Sequence, residues 1–168
     1  MREVFGNLWD WYDAGAWVVV PCNVGWKRNG ENVMGAGVAK QAKDRFALKG
    51  INLPLAVGTV FREAVRAGLP LTVFCAPEWR VIYFPTKPLN YVQPHLSWRN
   101  NATLGMIEAS AWGLASYPTK ILLDTTTPIA LPLVGTGCGG LREEDVLPIL
   151  RKHLVSDQFV LVRPGAGT

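Results

Sequence analysis

The sequence predicts an α/β fold: a mixed central sheet packed between helices in three layers. Short apolar runs rich in β-branched residues alternate with segments of helical periodicity, which is the pattern of an α/β sandwich. Two glycine-rich loops follow apolar runs, as expected where chains leave the carboxyl ends of buried strands. At 168 residues the chain is long enough for one domain with a substantial core.

In chain order, Val4-Phe5 reads as an edge strand, with Gly6-Asn7-Leu8 as its exit loop. Trp17–Cys22 is a continuous, β-branched apolar run and predicts a buried strand. A polar loop over Asn23–Asn32 leads to a helix at about Ala36–Leu48, where Val38, Ala39, Ala42 and Phe46 recur at helical spacing. Leu55–Phe61, Leu71–Phe74 and Arg80–Phe84 read as three successive strands, so part of the sheet is expected to be antiparallel. Asn101–Ser116 reads as a helix, Ile129–Val134 as a strand, Glu143–Leu154 as a helix and Phe159–Val162 as the closing strand. The domain is expected over residues 1–163, with 164–168 as a flexible tail rich in glycine and proline.

Composition removes several classes of function. The hydrophobic fraction is 49% and charged residues are 18%, an ordinary globular balance. No run approaches the ~18 consecutive apolar residues of a membrane helix, and the start Met1-Arg2-Glu3-Val4 lacks a signal-peptide pattern. A cytoplasmic protein with no membrane partner is the expectation. The three cysteines, Cys22, Cys75 and Cys138, are far apart, and the only histidines are His95 and His153. That spacing suits neither a zinc site nor a disulfide framework, and reduced, buried thiols are expected. The net charge of +4 mildly favours a polyanionic partner and leaves nucleic acid open. Lys40, Lys43, Arg45 and Lys49 read first as a solvated helix face.

The chemistry lies in the glycine loops. Met34-Gly35-Ala36-Gly37 opens a helix, whose free amides and positive dipole end favour a phosphate. Gly135-Thr136-Gly137-Cys138-Gly139-Gly140 has four glycines in six residues, more than a turn requires, and suggests a backbone nest around an anion. Neither loop is a dinucleotide fingerprint or a P-loop: the first lacks Gly-x-Gly-x-x-Gly, and no Gly-Lys-Ser/Thr follows either. Each alone is as readily a tight turn. Together they suggest a diphosphate held without metal or cofactor.

These residues carry a resemblance. Val20-Pro21-Cys22-Asn23, Asn32-Val33-Met34-Gly35-Ala36-Gly37-Val38-Ala39 and Leu131-Pro132-Leu133-Val134-Gly135-Thr136-Gly137-Cys138-Gly139-Gly140-Leu141 resemble the macro-domain family, in the family's order and over nearly the whole chain. The resemblance implies a macro-domain-like α/β/α sandwich that binds ADP-ribose, and the compact chain is expected to be a monomer. It places Val33, Met34, Gly35, Ala36, Gly37 and Val38 around the distal ribose and Gly135–Gly140 around the diphosphate. Adenine would lie near Asn7 and Leu8. Many members have aspartate where Asn7 stands, but an amide oxygen can still accept from the adenine amino group. Asn23 would contact the distal ribose, although a loop asparagine also commonly bonds its own backbone; a role for Asn32 is less defined.

The Met-Gly-x-Gly form of the first loop is similar to the branch holding terminal ADP-ribose protein glycohydrolase and the antitoxins that reverse ADP-ribosylation of DNA. Tyr83-Phe84-Pro85-Thr86-Lys87 and the later Ser97-Trp98-Arg99 match that branch. The resemblance makes Lys87 the catalytic candidate, with Thr86 beside the ligand. Read without it, Lys87 is more readily an exposed strand-end lysine before Pro88. An amine there can attack the anomeric carbon of a ring-opened sugar or stabilise charge as the glycosidic bond breaks. One departure matters: the protein glycohydrolase has an aspartate in the second loop, and Gly139 stands at that place. Glu143, Glu144 and Asp145 read instead as charges at the start of the last helix. Of seven tryptophans, Trp26 and Trp98 fall in loops where either can stack on a base. The expected function is removal of ADP-ribose from a DNA or protein adduct; ADP-ribose-1″-phosphate phosphatase and a non-catalytic ADP-ribose reader are the alternatives.

Overall fold

The computed structural model describes residues 1–165, so the expected tail beyond Gly165 lies outside the described residues. Six strands form one sheet in the order β1-β6-β5-β2-β4-β3: β1 Arg2–Phe5, β2 Trp17–Asn23, β3 Phe74–Ala76, β4 Val81–Lys87, β5 Ile129–Leu131 and β6 Phe159–Arg163. All neighbours are parallel except β3 and β4. The helices are α1 Leu8–Asp13, α2 Gly37–Ala47, α3 Leu53–Arg66, α4 Leu104–Ala115, α5 Tyr117–Lys120 and α6 Glu143–His153, with 3-10 turns at Pro77–Trp79 and Pro94–Arg99. The mixed α/β sandwich is the fold the sequence predicts.

Alternation along the strands builds two cores. Val18, Val20 and Cys22 of β2, with Tyr83 of β4, pack under Trp9 and Tyr12 of α1, Phe46 of α2 and Val57 and Phe61 of α3. Val19 of β2 and Ile82 and Phe84 of β4 turn to the other face, under Ile107 and Leu114 of α4 and Val146 and Leu150 of α6. Strands β2 and β4 are therefore apolar on both faces, as a covered parallel sheet requires. From β2 the chain moves outward through α2 and α3 to β3 and β4. It then returns through α4 on the opposite face to lay β5 against the free side of β2. Such a reversal opens a crevice at the strands' carboxyl ends.

Several expected elements change. Leu55–Phe61 is not a strand but the interior of α3. Its buried residues Leu53, Val57 and Phe61 recur every fourth position, the Asn52 side chain caps it by accepting from the Leu55 amide at 3.1 Å, and Pro54 stands in its first turn. The antiparallel part of the sheet is thus one pair rather than three successive strands. The strand expected at Leu71–Phe74 begins only at Phe74, where pairing with Tyr83 starts. That expected at Arg80 begins at Val81, because Arg80 sits in the left-handed region at φ 52° and closes the preceding 3-10 turn. Pro132, which has no amide to donate, follows the end of β5, shortening the expected Ile129–Val134. Leu8 is not exit loop but the first residue of α1, whose six residues are too few to show a period.

The thiols also differ from expectation. All three are free, but only Cys22 is buried, Cys75 is half-buried and Cys138 is exposed. In the basic helix, Lys40 pairs with Asp44 and Arg45 with Asp13, both at the surface. Among the described residues no helix is long and apolar enough to cross a membrane, and no three metal-ligating side chains cluster.

Candidate functional site

Five parallel strands deliver their carboxyl ends to one rim of the sheet, and a cavity of about 1170 Å³ opens there. Gly6, Asn7 and Leu8 follow β1, Asn23 ends β2, Thr86 and Lys87 end β4, Pro132, Leu133 and Gly135 to Gly139 follow β5, Val162 belongs to β6 and Pro164 follows it. Val33, Gly35 to Ala39 and Gln41 form the facing wall, and Trp98 and Arg99 stand at its edge. The side chains and loops of this lining include two cations, Lys87 and Arg99, and no carboxylate. A cavity so charged selects an anion.

The first loop supplies its donors through α2. Its N-cap, Ala36, has no side chain able to cap, so the first-turn amides carry their partial positive charge into the cavity. The second loop does the same with an unpaired turn. Leu141 donates to the Gly135 carbonyl at 3.0 Å and Gly140 to that of Gly137 at 3.1 Å, which folds the loop back on itself. Among the described residues, the amides at positions 136–139 find no acceptor. A Cβ at Gly35 or Gly137 would meet nothing within 4 Å, so packing does not require glycine at either place, and both leave the backbone open to a ligand. Gly139 is different. A Cβ there would lie 2.2 Å from the Gly135 carbonyl oxygen and 2.8 Å from Ala102. The loop cannot carry an aspartate at that position without moving.

Asn23 and Asn32 fasten the first loop, and of the two only Asn23 also lines the cavity. The Asn32 amide group donates to the Gly25 carbonyl at 2.7 Å, to the Asn23 carbonyl at 2.9 Å and toward the Asn23 Oδ1 at 3.1 Å. Asn23 donates to the Val33 carbonyl at 2.9 Å and accepts from the Gly25 amide at 3.0 Å. Asn23, expected at the ribose, lines the cavity but spends most of its polar capacity on the loop. Asn7 caps α1, accepting from the Trp9 amide at 2.9 Å, so one lone pair of its oxygen is already engaged.

Lys87 ends β4 opposite Asn23 of β2. Its Nζ donates to the Trp98 carbonyl at 2.9 Å. Burial holds its amine below the ordinary lysine value, an effect that Cys138 on the second loop opposes. Cys22 also reaches the cavity, but burial pushes its thiol far up, leaving it inert. Thr86 turns inward and donates to the Cys22 carbonyl at 3.2 Å.

Of the residues expected around the ligand, Asn7, Leu8, Asn23, Val33, Gly35, Ala36, Gly37, Val38, Thr86, Lys87, Gly135, Thr136, Gly137, Cys138 and Gly139 line this one cavity. Met34 and Gly140 do not line it. Met34 is buried in the core beneath α2, because its side chain points away from the rim while its neighbours face it. Gly140, at φ 76°, turns the chain out of the loop. Trp26 packs against the core and does not reach the cavity, whereas Trp98 lines it at 43% exposure. Gln41 and Arg99 also line it; Gln41 carries no sequence signal, and Arg99 enters the sequence reading only within the Ser97-Trp98-Arg99 match. Gln41 accepts from the Trp9 indole at 2.8 Å, tying α2 to α1 beside the cavity, and the Arg99 guanidinium lies 5.2 Å over the Trp98 ring.

No family model matches the chain, and no curated protein matches it. Solved structures do. The macrodomain of Mycobacterium tuberculosis DarG aligns with a TM-score of 0.66 at 23% identity, over 98% of this chain and 97% of that one. The macrodomain of Thermus aquaticus DarG aligns with a TM-score of 0.63 at 23% identity, again over 98% and 97%. Thermosipho africanus DarTG, solved in complex with ADP-ribose, aligns with a TM-score of 0.64 at 19% identity, over 100% of this chain and 43% of that one. The chain has the macrodomain fold.

Proposed function

We propose that this macrodomain binds ADP-ribose and hydrolyses its link to a macromolecular carrier, DNA or protein, using the amine of Lys87. The observation that carries the reading is the meeting, in one cavity without a lining carboxylate, of two arrays of unpaired backbone amides and a partly desolvated lysine. The likeness to DarG macrodomains, and to a DarTG structure that contains ADP-ribose, supports the choice of ligand.

In this reading the diphosphate lies on the amides of residues 136–139 and at the start of α2. The distal ribose lies between the first loop and Lys87, and adenine reaches toward Gly6–Leu8. The neutral Lys87 amine adds to C1″ of the ring-opened ribose, and the carrier leaves with a proton. Water then hydrolyses the resulting imine, releasing ADP-ribose and the free amine. In its charged form the same group stabilises the transition state for direct bond cleavage. Lacking an acidic side chain at Gly139, the site has no carboxylate to share the proton transfers.

The test begins with calorimetric titration of ADP-ribose, followed by assays on ADP-ribosylated DNA and protein. Lys87→Ala is expected to bind ADP-ribose within about threefold of wild type and to lose turnover by about 10²–10³-fold. Borohydride added with ADP-ribose is expected to reduce the imine and leave a mass adduct on Lys87. The rate is expected to rise with pH through a midpoint below the usual lysine range, since only the neutral amine attacks and burial depresses its pKa. Turnover that survives Lys87→Ala sinks the lysine mechanism, and failure to bind ADP-ribose sinks the whole reading. A non-catalytic ADP-ribose reader is the second reading, favoured by the missing carboxylate; it predicts tight binding with no turnover of either adduct. Turnover of ADP-ribose-1″-phosphate alone identifies a phosphatase.

A further inference from the structure

A lysine amine sits on four rotatable carbons and is a poor instrument unless something fixes it. What fixes Lys87 is not a carboxylate but a main-chain carbonyl, that of Trp98, 2.9 Å from Nζ. That carbonyl belongs to the 3-10 turn Pro94–Arg99, in a segment that leaves β4 at Pro88 and returns at Asn100. The segment is tied down by its own polar groups. Ser97 is fully buried; its Oγ donates to the Pro94 carbonyl at 2.8 Å and accepts from the Asn90 amide at 2.9 Å. Asn100 closes the base by donating to the Pro88 carbonyl at 2.9 Å. The turn is seated on Gly25, where a Cβ would come within 2.0 Å of the Pro94 oxygen and 2.5 Å of the Ser97 Oγ. Gly25 in turn is held by Asn23 and Asn32, the pair that fastens the first glycine loop.

We propose that Ser97 is a positioning residue for Lys87: by locking the 3-10 turn onto Gly25 it holds the Trp98 carbonyl where it aims the amine into the cavity. The inference rests on Lys87 being the reacting amine, but the placement of that amine can be measured without any ligand. A carbonyl suits the task because it orients Nζ without pairing it to a negative charge. The titratable or charged groups that share the cavity with the amine are Cys22 of β2, whose buried thiol stays neutral, Cys138 of the second loop and Arg99 of the same turn. No replacement of the Trp98 side chain removes the acceptor, whereas loss of the Ser97 hydroxyl releases the peptide that carries it.

Lysine-selective carbon-13 labelling of the intact chain, with Lys87 assigned by its absence in Lys87→Ala, lets NMR follow the Lys87 titration directly. In wild type the Lys87 midpoint is expected below those of the other lysines. In Ser97→Ala it is expected to move up toward them as the amine escapes into water, and to do so, by a smaller amount, in Asn100→Ala, which loosens the segment at its half-buried base. The two variants are also expected to slow borohydride trapping at least fivefold while the ADP-ribose dissociation constant changes less than threefold. A Lys87 midpoint unmoved in Asn100→Ala and Ser97→Ala, despite faster amide exchange over residues 88–100, overturns the proposal. So does slower trapping that tracks weaker binding. If Ser97→Ala does not fold, the Asn100→Ala titration decides alone. If wild type binds no ADP-ribose, the proposed function falls while the ligand-free titration still decides the positioning role.

Discussion

At Gly139 the close approach of the Gly135 carbonyl and of Ala102 leaves no space for a side chain. Gly139→Asp is therefore expected not to add an acid to the site but to push the second loop apart. Overpacking of this kind costs about 1–3 kcal/mol, and calorimetry is expected to show ADP-ribose binding weakened at least tenfold with no gain in turnover. An Asp variant that binds normally would show that the loop yields more easily than its contacts suggest. Residues such as these are legible in a sequence because glycine runs are local signals. Lys87 is legible only through resemblance, since nothing in Phe84-Pro85-Thr86-Lys87 itself says which rim it will reach. Gln41 leaves no such trace, and Arg99 shows only as the end of the Ser97-Trp98-Arg99 match, with no role attached to it. Arg99 reaches the cavity through a turn anchored by buried Ser97, and Gln41 through the rotational register of α2. Met34 misleads in the opposite sense, because it lies inside the most recognisable motif and yet serves the core.

Helix α3 connects the element scale to the site. Gly58, in its middle, faces the backbone of the loop ahead of Val33: a Cβ there would lie 1.9 Å from the Gly30 carbonyl oxygen and 2.7 Å from the Asn32 amide. That loop is also pinned to the start of α3, where the Asn32 amide donates to the Pro54 carbonyl at 2.8 Å. Gly58→Ala gains helix propensity of nearly 1 kcal/mol, but the collision with backbone outweighs it. Net destabilisation of about 1–3 kcal/mol is expected by denaturant titration, together with weaker ADP-ribose binding, because the displaced loop carries Val33 and Gly35. A more stable variant would refute this account of the contact. The same helix marks where the sequence is hardest to read. Leu55–Phe61 has the β-branched and aromatic content of a strand, and only the fourfold recurrence of Leu53, Val57 and Phe61, with the Asn52 cap, tells otherwise. Strand β2 is easier, since the six apolar residues Trp17–Cys22 on both faces have few alternatives in a domain this size.

On the scale of the whole molecule, a ligand that touches loops after five strands binds the folded chain and not the unfolded one. ADP-ribose at a hundred times its dissociation constant is expected to stabilise the fold by about 2.7 kcal/mol. Each kcal/mol raises Tm by about 2–4 °C in a chain of this size. A thermal melt unchanged by ADP-ribose would contradict binding at this rim. The sheet order adds a matter of timing. Strand β1 pairs only with β6, Arg2 opposite Val160, and the residues after these two strands, Asn7 and Pro164 among them, form one side of the cavity. During synthesis β1 must wait for Phe159–Arg163 before finding its neighbour, while β2, β4 and their helices can already associate. The side of the pocket that follows β1 and β6 is thus completed late. A nascent chain halted before Phe159 has most of its core but lacks β6 and the wall of the cavity that Val162 and Pro164 form.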